Sequence, residues 1–335
     1  MIKVAINGFG RIGRPSFKII FEREDMEVVA INDLADAESM AYLLKYDSAY
    51  GIYGRDVQSG DKKIIVDGKE FPVYSEKDPN NLPWKDLGVD VVLECTGIFV
   101  NQEGASGHLN AGAKKVVISA PAKDDSVKTF VMGVNNNELT EDDNVISNAS
   151  CTTNCLAPVM KVLNDVFGVE KAMMTTVHSY TSTQTIIDVA TGKDKRRGRA
   201  SGQSVIPTTT GAAVATALVI PSLQGNFDGM AFRVPTIVGS ACDLTAILKK
   251  DVTEEDVNRA LIEAGDGAMR GILQITDEAL VSRDIVGNYH SAIVQKELTK
   301  VVGGNFVKVI AWYDNEWGYS CRLVDMAKCI GQKIK

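Results

Sequence analysis

Short apolar runs alternate with helically spaced segments from Met1 to about Ser147. Ile2–Asn7 has the apolar density of a buried strand, Pro15–Glu24 the 3.6-residue spacing of a helix, and Val28–Asn32 is a second strand-like run. Further runs follow at Lys63–Val66, Val89–Cys95, Val116–Ser119, Phe130–Val134 and Asn144–Ser147. Strand–helix–strand alternation of this kind predicts a doubly wound, mostly parallel sheet. Ser150 then precedes a helical stretch, Cys151–Val166, and the pattern changes. Ala172–His178, Gly229–Val234, Ala241–Lys249 and Val307–Tyr313 alternate apolar and polar positions, as an antiparallel sheet with one covered face requires. A basic loop spans Thr181–Ser204, and helical spacing returns from Tyr319 to Ile330. No repeat, low-complexity tract or flexible linker interrupts the chain.

Length changes this picture little: 335 residues accommodate about two domains. With 45% hydrophobic and 24% charged residues the chain is an ordinary globular one. The net charge of −7 disfavours nucleic acid as the main partner and, taken alone, an anionic ligand. Locally the balance reverses, because Lys193, Lys195, Arg196, Arg197 and Arg199 face only Asp194 in that stretch. The longest apolar segment, Gly211–Ile220, is too short to span a bilayer. The start Met1-Ile2-Lys3-Val4-Ala5-Ile6 reads as a strand rather than a secretion signal, which points to the cytoplasm. Six cysteines at this length are too sparse for a disulfide framework, and none has the spacing of a metal site.

Asn7-Gly8-Phe9-Gly10-Arg11-Ile12-Gly13 places G-x-G-x-x-G after a strand and before a helix. Gly8 permits the tight turn, Gly10 the approach of a pyrophosphate, and Gly13 close packing of helix on strand. The helix start beyond offers N–H groups and partial positive charge to an anion. Such a motif alone is also found in plain glycine-rich turns. Asp33, 25 residues after Gly8 at the end of the second run, suits the ribose hydroxyls of an adenosine and makes a dinucleotide the better reading. A carboxylate there favours NAD over NADP, whose 2′-phosphate it would repel.

Cys151 opens a helix, where dipole and N–H groups are expected to depress a thiol pKa. Cys155, one turn deeper, reads as a small buried apolar residue. A cysteine nucleophile needs a base. His178, followed by the hydroxyl- and amide-rich Ser179–Gln184, is better placed than His108 or His290.

Several further segments are specific: Ala149–Cys155, His178–Thr181, Pro207–Ala213, Phe232–Thr236 and Trp312–Ser320, together with Ile6–Arg14. In register over nearly the whole chain they resemble the phosphorylating glyceraldehyde-3-phosphate dehydrogenases, NAD-dependent and bacterial-type. The resemblance implies a Rossmann-type NAD-binding domain over 1–149, a C-terminal helix over 316–335 packing back on it, and an α+β catalytic domain over 150–315 with a mostly antiparallel sheet. It implies oxidation of glyceraldehyde 3-phosphate, with NAD and inorganic phosphate, through a hemithioacetal and a thioester on Cys151, with His178 as base. Thr181, Thr183 and Arg233 resemble the site of the substrate's phosphate. Ser150, Thr152, Arg197, Thr210 and Gly211 resemble that of the attacking phosphate. Gly8, Gly10, Arg11, Ile12, Gly13, Asp33, Lys77, Thr96, Ser119, Asn315 and Tyr319 resemble the cofactor contacts. A homotetramer is implied, with no metal. Asp188–Lys193 lacks the Leu-Pro pair of many NAD-specific relatives, which leaves room for NADP tolerance. Erythrose-4-phosphate dehydrogenases share most of these motifs, and a non-catalytic RNA- or partner-binding protein built on Lys193–Arg199, or a thiol-redox sensor, are the readings from other classes.

Overall fold

The computed structural model describes residues 1–192 and 194–334; Lys193 of the basic stretch and Lys335, the end of the expected C-terminal helix, lie outside them. The chain divides into two compact units, residues 1–150 with 320–335, and 151–319.

Among the described residues the first unit is built on a nine-stranded sheet. Its centre is parallel: Lys115–Ile118, Val91–Glu94, Ile2–Asn7 and Met26–Asn32 lie side by side in that order. These strands are almost wholly apolar and buried, as a sheet covered on both faces demands. Helix Gly13–Phe21 follows the first strand and sets Phe17 and Ile20 into the core. From Ser320 onward, helix Trp317–Gly331 adds Leu323, Val324, Met326, Ala327 and Ile330 to the same cluster. Two ion pairs fasten it, Arg23 to Asp325 at 3.2 Å and Lys328 to Asp25 at 2.6 Å.

Two predicted strands differ. Lys63–Val66 belongs to an antiparallel meander with Val57–Gly60 and Lys69–Tyr74 at the sheet edge, outside the strand–helix alternation. Phe130–Val134 is a turn, preceded by the short strand Lys128–Thr129. Phe130, Val131 and Val134 are buried, but Gly133 at φ +80° ends any extended run, and Asn135 Oδ1 accepts the Val131 N–H at 2.9 Å. Apolar density there reports burial, not extension.

In the second unit a mostly antiparallel sheet has Val169–Ser179 and Ser240–Leu248 at its centre, flanked by Phe227–Val234 and Phe306–Tyr313. Burial alternates strictly along Ser240–Leu248. Helix Cys151–Phe167 covers the buried face, with Cys155, Leu156, Val159 and Leu163 enclosed. Among the described residues no helix is long and apolar enough to cross a membrane.

Candidate active site

The strand Val145–Ser147 passes into helix Cys151–Phe167 through Ala149, a non-glycine residue at φ +56°. That conformation is sparsely populated and marks a turn held by its surroundings. Cys151 is therefore the first residue of its helix. The strand Val169–Ser179 carries His178 near its end, almost fully buried, and Arg233 is its register partner on the next strand. The helix start and the strand Val169–Ser179 bring the sequence-predicted thiol and imidazole together: Cys151 Sγ lies 3.4 Å from His178 Nε2.

Arg233 approaches from the other side of the ring. Its Nη1 donates to His178 Nδ1 at 2.6 Å and to the Ser179 carbonyl at 2.9 Å, while its buried Nε has no hydrogen-bond partner among the described residues. A guanidinium only donates, so Nδ1 accepts and the ring proton is assigned to Nε2, facing sulfur. Nδ1 also lies 2.6 Å from the Ser179 carbonyl oxygen, a contact that becomes a hydrogen bond once Nδ1 is protonated.

The electrostatics correct the expected depression of the thiol pKa. Burial pushes Cys151 up to about 11, opposed by Arg233, and pushes His178 down to about 3, reinforced by Arg233. The helix start is too weak to offset that desolvation when the partner is neutral. Charge separation is eased only when both groups charge together. At this separation a thiolate and an imidazolium attract by roughly 5 kcal/mol at an effective dielectric near 20. That recovers about half of the roughly 11 kcal/mol that moving a proton from the thiol to the imidazole costs, so the thiolate is reached as the less populated, ion-paired form of the couple.

Tyr313 was not singled out from the sequence. Its buried hydroxyl is shared with Thr152 Oγ1 (2.9 Å) and Thr176 Oγ1 (2.8 Å), and its ring stands edge-on to His178 at 5.8 Å. A tyrosine ending an alternating strand at a buried position needs such partners, which is the one signal its sequence context held. Thr152, predicted as a phosphate ligand, is buried with its hydroxyl on Tyr313.

The remaining predicted phosphate residues fall into groups. Thr181 and Thr183 have their hydroxyls 3.0 Å apart, both within reach of Gln184 Oε1. Arg197 donates to Thr208 Oγ1 at 2.8 Å and shares with Thr183 the wall of a cavity of about 590 Å³. Gly211 precedes helix Ala212–Val219, and Thr210 Oγ1 accepts the Ala212 N–H at 3.2 Å. Ser150 is half-buried at the start of the cysteine segment. The basic stretch is less positive than its composition: Arg196 pairs with Asp194 and Arg199 with Asp188, both at 2.9 Å. Arg197 makes no ion pair among the described residues.

In the first unit the glycine-rich turn has the geometry its motif requires. Gly8 sits at φ +93°, and a Cβ on it would stand 2.7 Å from the backbone of Cys95 and Thr96. A Cβ on Gly13 would lie 2.1 Å from Gly8 O, whereas one on Gly10 would meet nothing within 4 Å. Helix Gly13–Phe21 has no side-chain cap and no acid in its first turn, so its start suits an anion. Asp33 accepts the Phe9 N–H at 2.7 Å and the Ala35 N–H at 3.0 Å, tying the acid to the turn. The Arg11 guanidinium is committed to Asp47 at 2.6 Å. Lys77 is exposed, and Ser119 donates its N–H to the Glu94 carbonyl at 2.9 Å. In the second unit Asn315 Oδ1 accepts from Ser240 Oγ at 2.9 Å and Gly239 N at 3.2 Å, leaving Nδ2 to donate; Tyr319 is buried.

Residues 2–102 match the glyceraldehyde 3-phosphate dehydrogenase NAD binding domain, and residues 150–315 the C-terminal domain of the same family. Glyceraldehyde-3-phosphate dehydrogenase of Geobacillus stearothermophilus is 54% identical over 333 residues, covering 99% of both chains. That of Borreliella burgdorferi is 52% identical over 334 residues, 98% of this chain and 99% of the other. Glyceraldehyde-3-phosphate dehydrogenase 1 of Saccharomyces cerevisiae is 48% identical over 333 residues, 99% and 100% of the two chains. This chain belongs to the glyceraldehyde-3-phosphate dehydrogenase family.

Among the described residues no cluster of three or more His, Cys, Asp or Glu is arranged to hold a metal ion. The free cysteines other than Cys151 are buried or half-buried, and burial and the Glu94 charge push the Cys95 thiol far up, with Ser119 opposing. Cys155 donates to the Ala311 carbonyl at 3.8 Å, in keeping with its reading as a packed apolar residue.

Proposed function

We propose that this chain oxidises glyceraldehyde 3-phosphate, using NAD and inorganic phosphate, to 1,3-bisphosphoglycerate and NADH. The reading is carried by one observation, the 3.4 Å approach of Cys151 Sγ to His178 Nε2 beside Arg233. Sulfur adds to the aldehyde carbon, and the carbonyl oxygen becomes an oxyanion that the Cys151 N–H and the imidazolium stabilise; the imidazolium then gives it a proton, completing the hemithioacetal. His178 then takes the hydroxyl proton as hydride leaves carbon. NAD supplies the acceptor for that hydride. What remains on Cys151 is a thioester. A phosphate oxygen attacks it, the C–S bond breaks, and the acyl phosphate departs while sulfur leaves as thiolate. Sulfur suits both ends of the cycle, being a strong nucleophile and a good leaving group.

In this reading Thr181, Thr183 and Arg233 hold the substrate's phosphate, and the orphan Nε of Arg233 is a donor in reserve for it. Ser150, Thr152, Arg197, Thr210 and Gly211 hold the attacking phosphate. Gly8, Gly10, Gly13, Asp33, Lys77, Thr96 and Ser119 take the cofactor, with Arg11 and Ile12 acting through backbone N–H groups because the Arg11 side chain is engaged. Asn315 and Tyr319 serve the nicotinamide. Residues 1–149 with the C-terminal helix form the NAD-binding domain and 150–315 the catalytic domain. The protein works as a cytoplasmic homotetramer.

The test is NAD reduction followed at 340 nm with glyceraldehyde 3-phosphate and erythrose 4-phosphate side by side, with and without phosphate. Phosphate-dependent turnover that favours the triose is expected. Preference for the tetrose overturns the substrate, and absence of phosphate-dependent turnover overturns the reaction. Cys151→Ser should bind NAD and give no burst of NADH; a retained burst removes the thiol from the mechanism.

A further inference from the structure

Beneath the cofactor segments of the first unit lies a buried polar network that the reaction itself does not use. Glu94 ends the strand Val91–Glu94, His108 sits on helix Gln102–Asn110, and both side chains are completely enclosed. The Glu94 carboxylate accepts from Asn7 Nδ2 at 2.5 Å, from the Thr96 N–H at 2.8 Å and from the Thr96 hydroxyl. Trp84 Nε1 donates to His108 Nδ1 at 3.0 Å. An indole nitrogen only donates, so the imidazole proton is on Nε2, which donates to Glu94 Oε2 at 3.1 Å. On the far side Asn7 Oδ1 accepts from Asn32 Nδ2 at 2.7 Å. Asn32 is tied twice to Glu76, its Nδ2 donating to the carbonyl and its Oδ1 accepting the N–H, both at 2.9 Å.

The positions in the chain give this network its meaning. Asn7 immediately precedes Gly8, Asn32 precedes Asp33, and Glu76 precedes Lys77. Thr96 is held directly. One run of hydrogen bonds, Trp84–His108–Glu94–Asn7–Asn32–Glu76, therefore links all four segments at the C-terminal ends of neighbouring parallel strands, where open α/β sheets receive ligands. The turn and the loop also touch, since there is no room for a Cβ between Gly8 and the Cys95–Thr96 peptide. An enclosed carboxylate is a costly way to stabilise a sheet, because apolar side chains of the same volume do it as well. What the carboxylate adds is direction: it fixes where the Asn7 amide and the Thr96 backbone point.

We propose that Glu94 and His108 are positioning residues for the dinucleotide, holding the glycine-rich turn and the Thr96 loop in their binding geometry before the cofactor arrives. The inference rests on the NAD reading of this unit. Glu94→Gln replaces one acceptor oxygen with an amide facing donors. His108→Phe fills the space without donating, and His108→Gln restores a donor toward Glu94.

The experiment is fluorescence titration of each full-length variant with NAD, alongside steady-state kinetics, thermal melting and the rate of Cys151 alkylation by iodoacetamide. Glu94→Gln and His108→Phe are expected to raise Kd and KM for NAD by about tenfold or more, the consequence of leaving buried donors unpaired at the site. Their kcat and alkylation rate should stay close to the parent's, and His108→Gln should recover most of the affinity. If Glu94→Gln does not fold, the His108→Phe and His108→Gln comparison decides. Parent-like NAD affinity in His108→Phe, whatever its melting temperature, overturns the proposal, as does His108→Gln binding no better than His108→Phe. Failure of the parent itself to bind NAD overturns the cofactor reading instead.

Discussion

Arg233 Nη1 stands 2.6 Å from His178 Nδ1, so a permanent cation holds the far side of the imidazole whose near side faces the Cys151 sulfur. That contact places the ring proton on Nε2 and lowers the affinity of the ring for a second proton. A base toward the substrate needs the opposite tautomer, with Nδ1–H donated to the Ser179 carbonyl. An anion that engages the guanidinium releases Nδ1 to do so. Removing the charge should act in the same direction. Arg233→Gln is expected to raise the His178 pKa by about one unit or more, and inorganic phosphate to raise it in the parent. Imidazole nitrogen shifts followed by NMR against pH report this directly; an unchanged or lowered value in the variant contradicts it.

The thiol depends on the same ring. Burial holds Cys151 up at about 11 with a neutral neighbour, even against the Arg233 charge, and an imidazolium at 3.4 Å lowers it further. His178→Asn should therefore shift the pH profile of Cys151 alkylation upward by about 1–3 units, the range for losing a close opposite charge. The parent then stays reactive at pH values where the variant is silent. Coincident profiles would show that the helix start alone governs the thiolate.

His178 also couples folding to acid. Its folded pKa of about 3 lies below the ordinary value of 6.5, so the unfolded chain takes up a proton between those limits that the folded chain does not. Stability is fully present above about 6.5 and falls as pH drops toward 3, with a slope of at most about 1.4 kcal/mol per pH unit. His178→Asn removes that slope. Between pH 6.5 and 4.5 the parent's melting temperature should fall further than the variant's. Parallel melting curves would show that the imidazole is not held neutral.

What was legible in the sequence was chemistry that depends on near neighbours. The turn from Gly8 to Gly13, the acid at Asp33 and the thiol at the head of a helix each declare themselves within a few residues, and each lies in the predicted setting. Quantities set by packing were hidden. The thiol pKa moved up rather than down because desolvation depends on residues distant in the chain. Arg11 is drawn to Asp47, 36 positions away, and Asp188 neutralises Arg199 of the basic stretch. His108 has uninformative sequence neighbours, and its partners Glu94 and Trp84 meet it only once the sheet has formed. Phe130–Val134 failed for a related reason, since a buried turn and a buried strand share the same apolar density.

The glycines of the turn separate folding from binding. At Gly13 an added methyl would lie 2.1 Å from the Gly8 carbonyl oxygen, a backbone atom that moves only if strand and helix part. Gly13→Ala should cost about 1–3 kcal/mol of stability, as overpacked sites do. At Gly10 nothing stands within 4 Å of the methyl, so Gly10→Ala should keep stability within about 0.5 kcal/mol. The open space is where a pyrophosphate approaches, and the same methyl should weaken NAD binding clearly. Thermal melting and NAD titration of the two variants should thus diverge: Gly13→Ala loses both properties, Gly10→Ala only the second. A Gly10→Ala protein that binds NAD as tightly as its parent would take the turn out of the cofactor site.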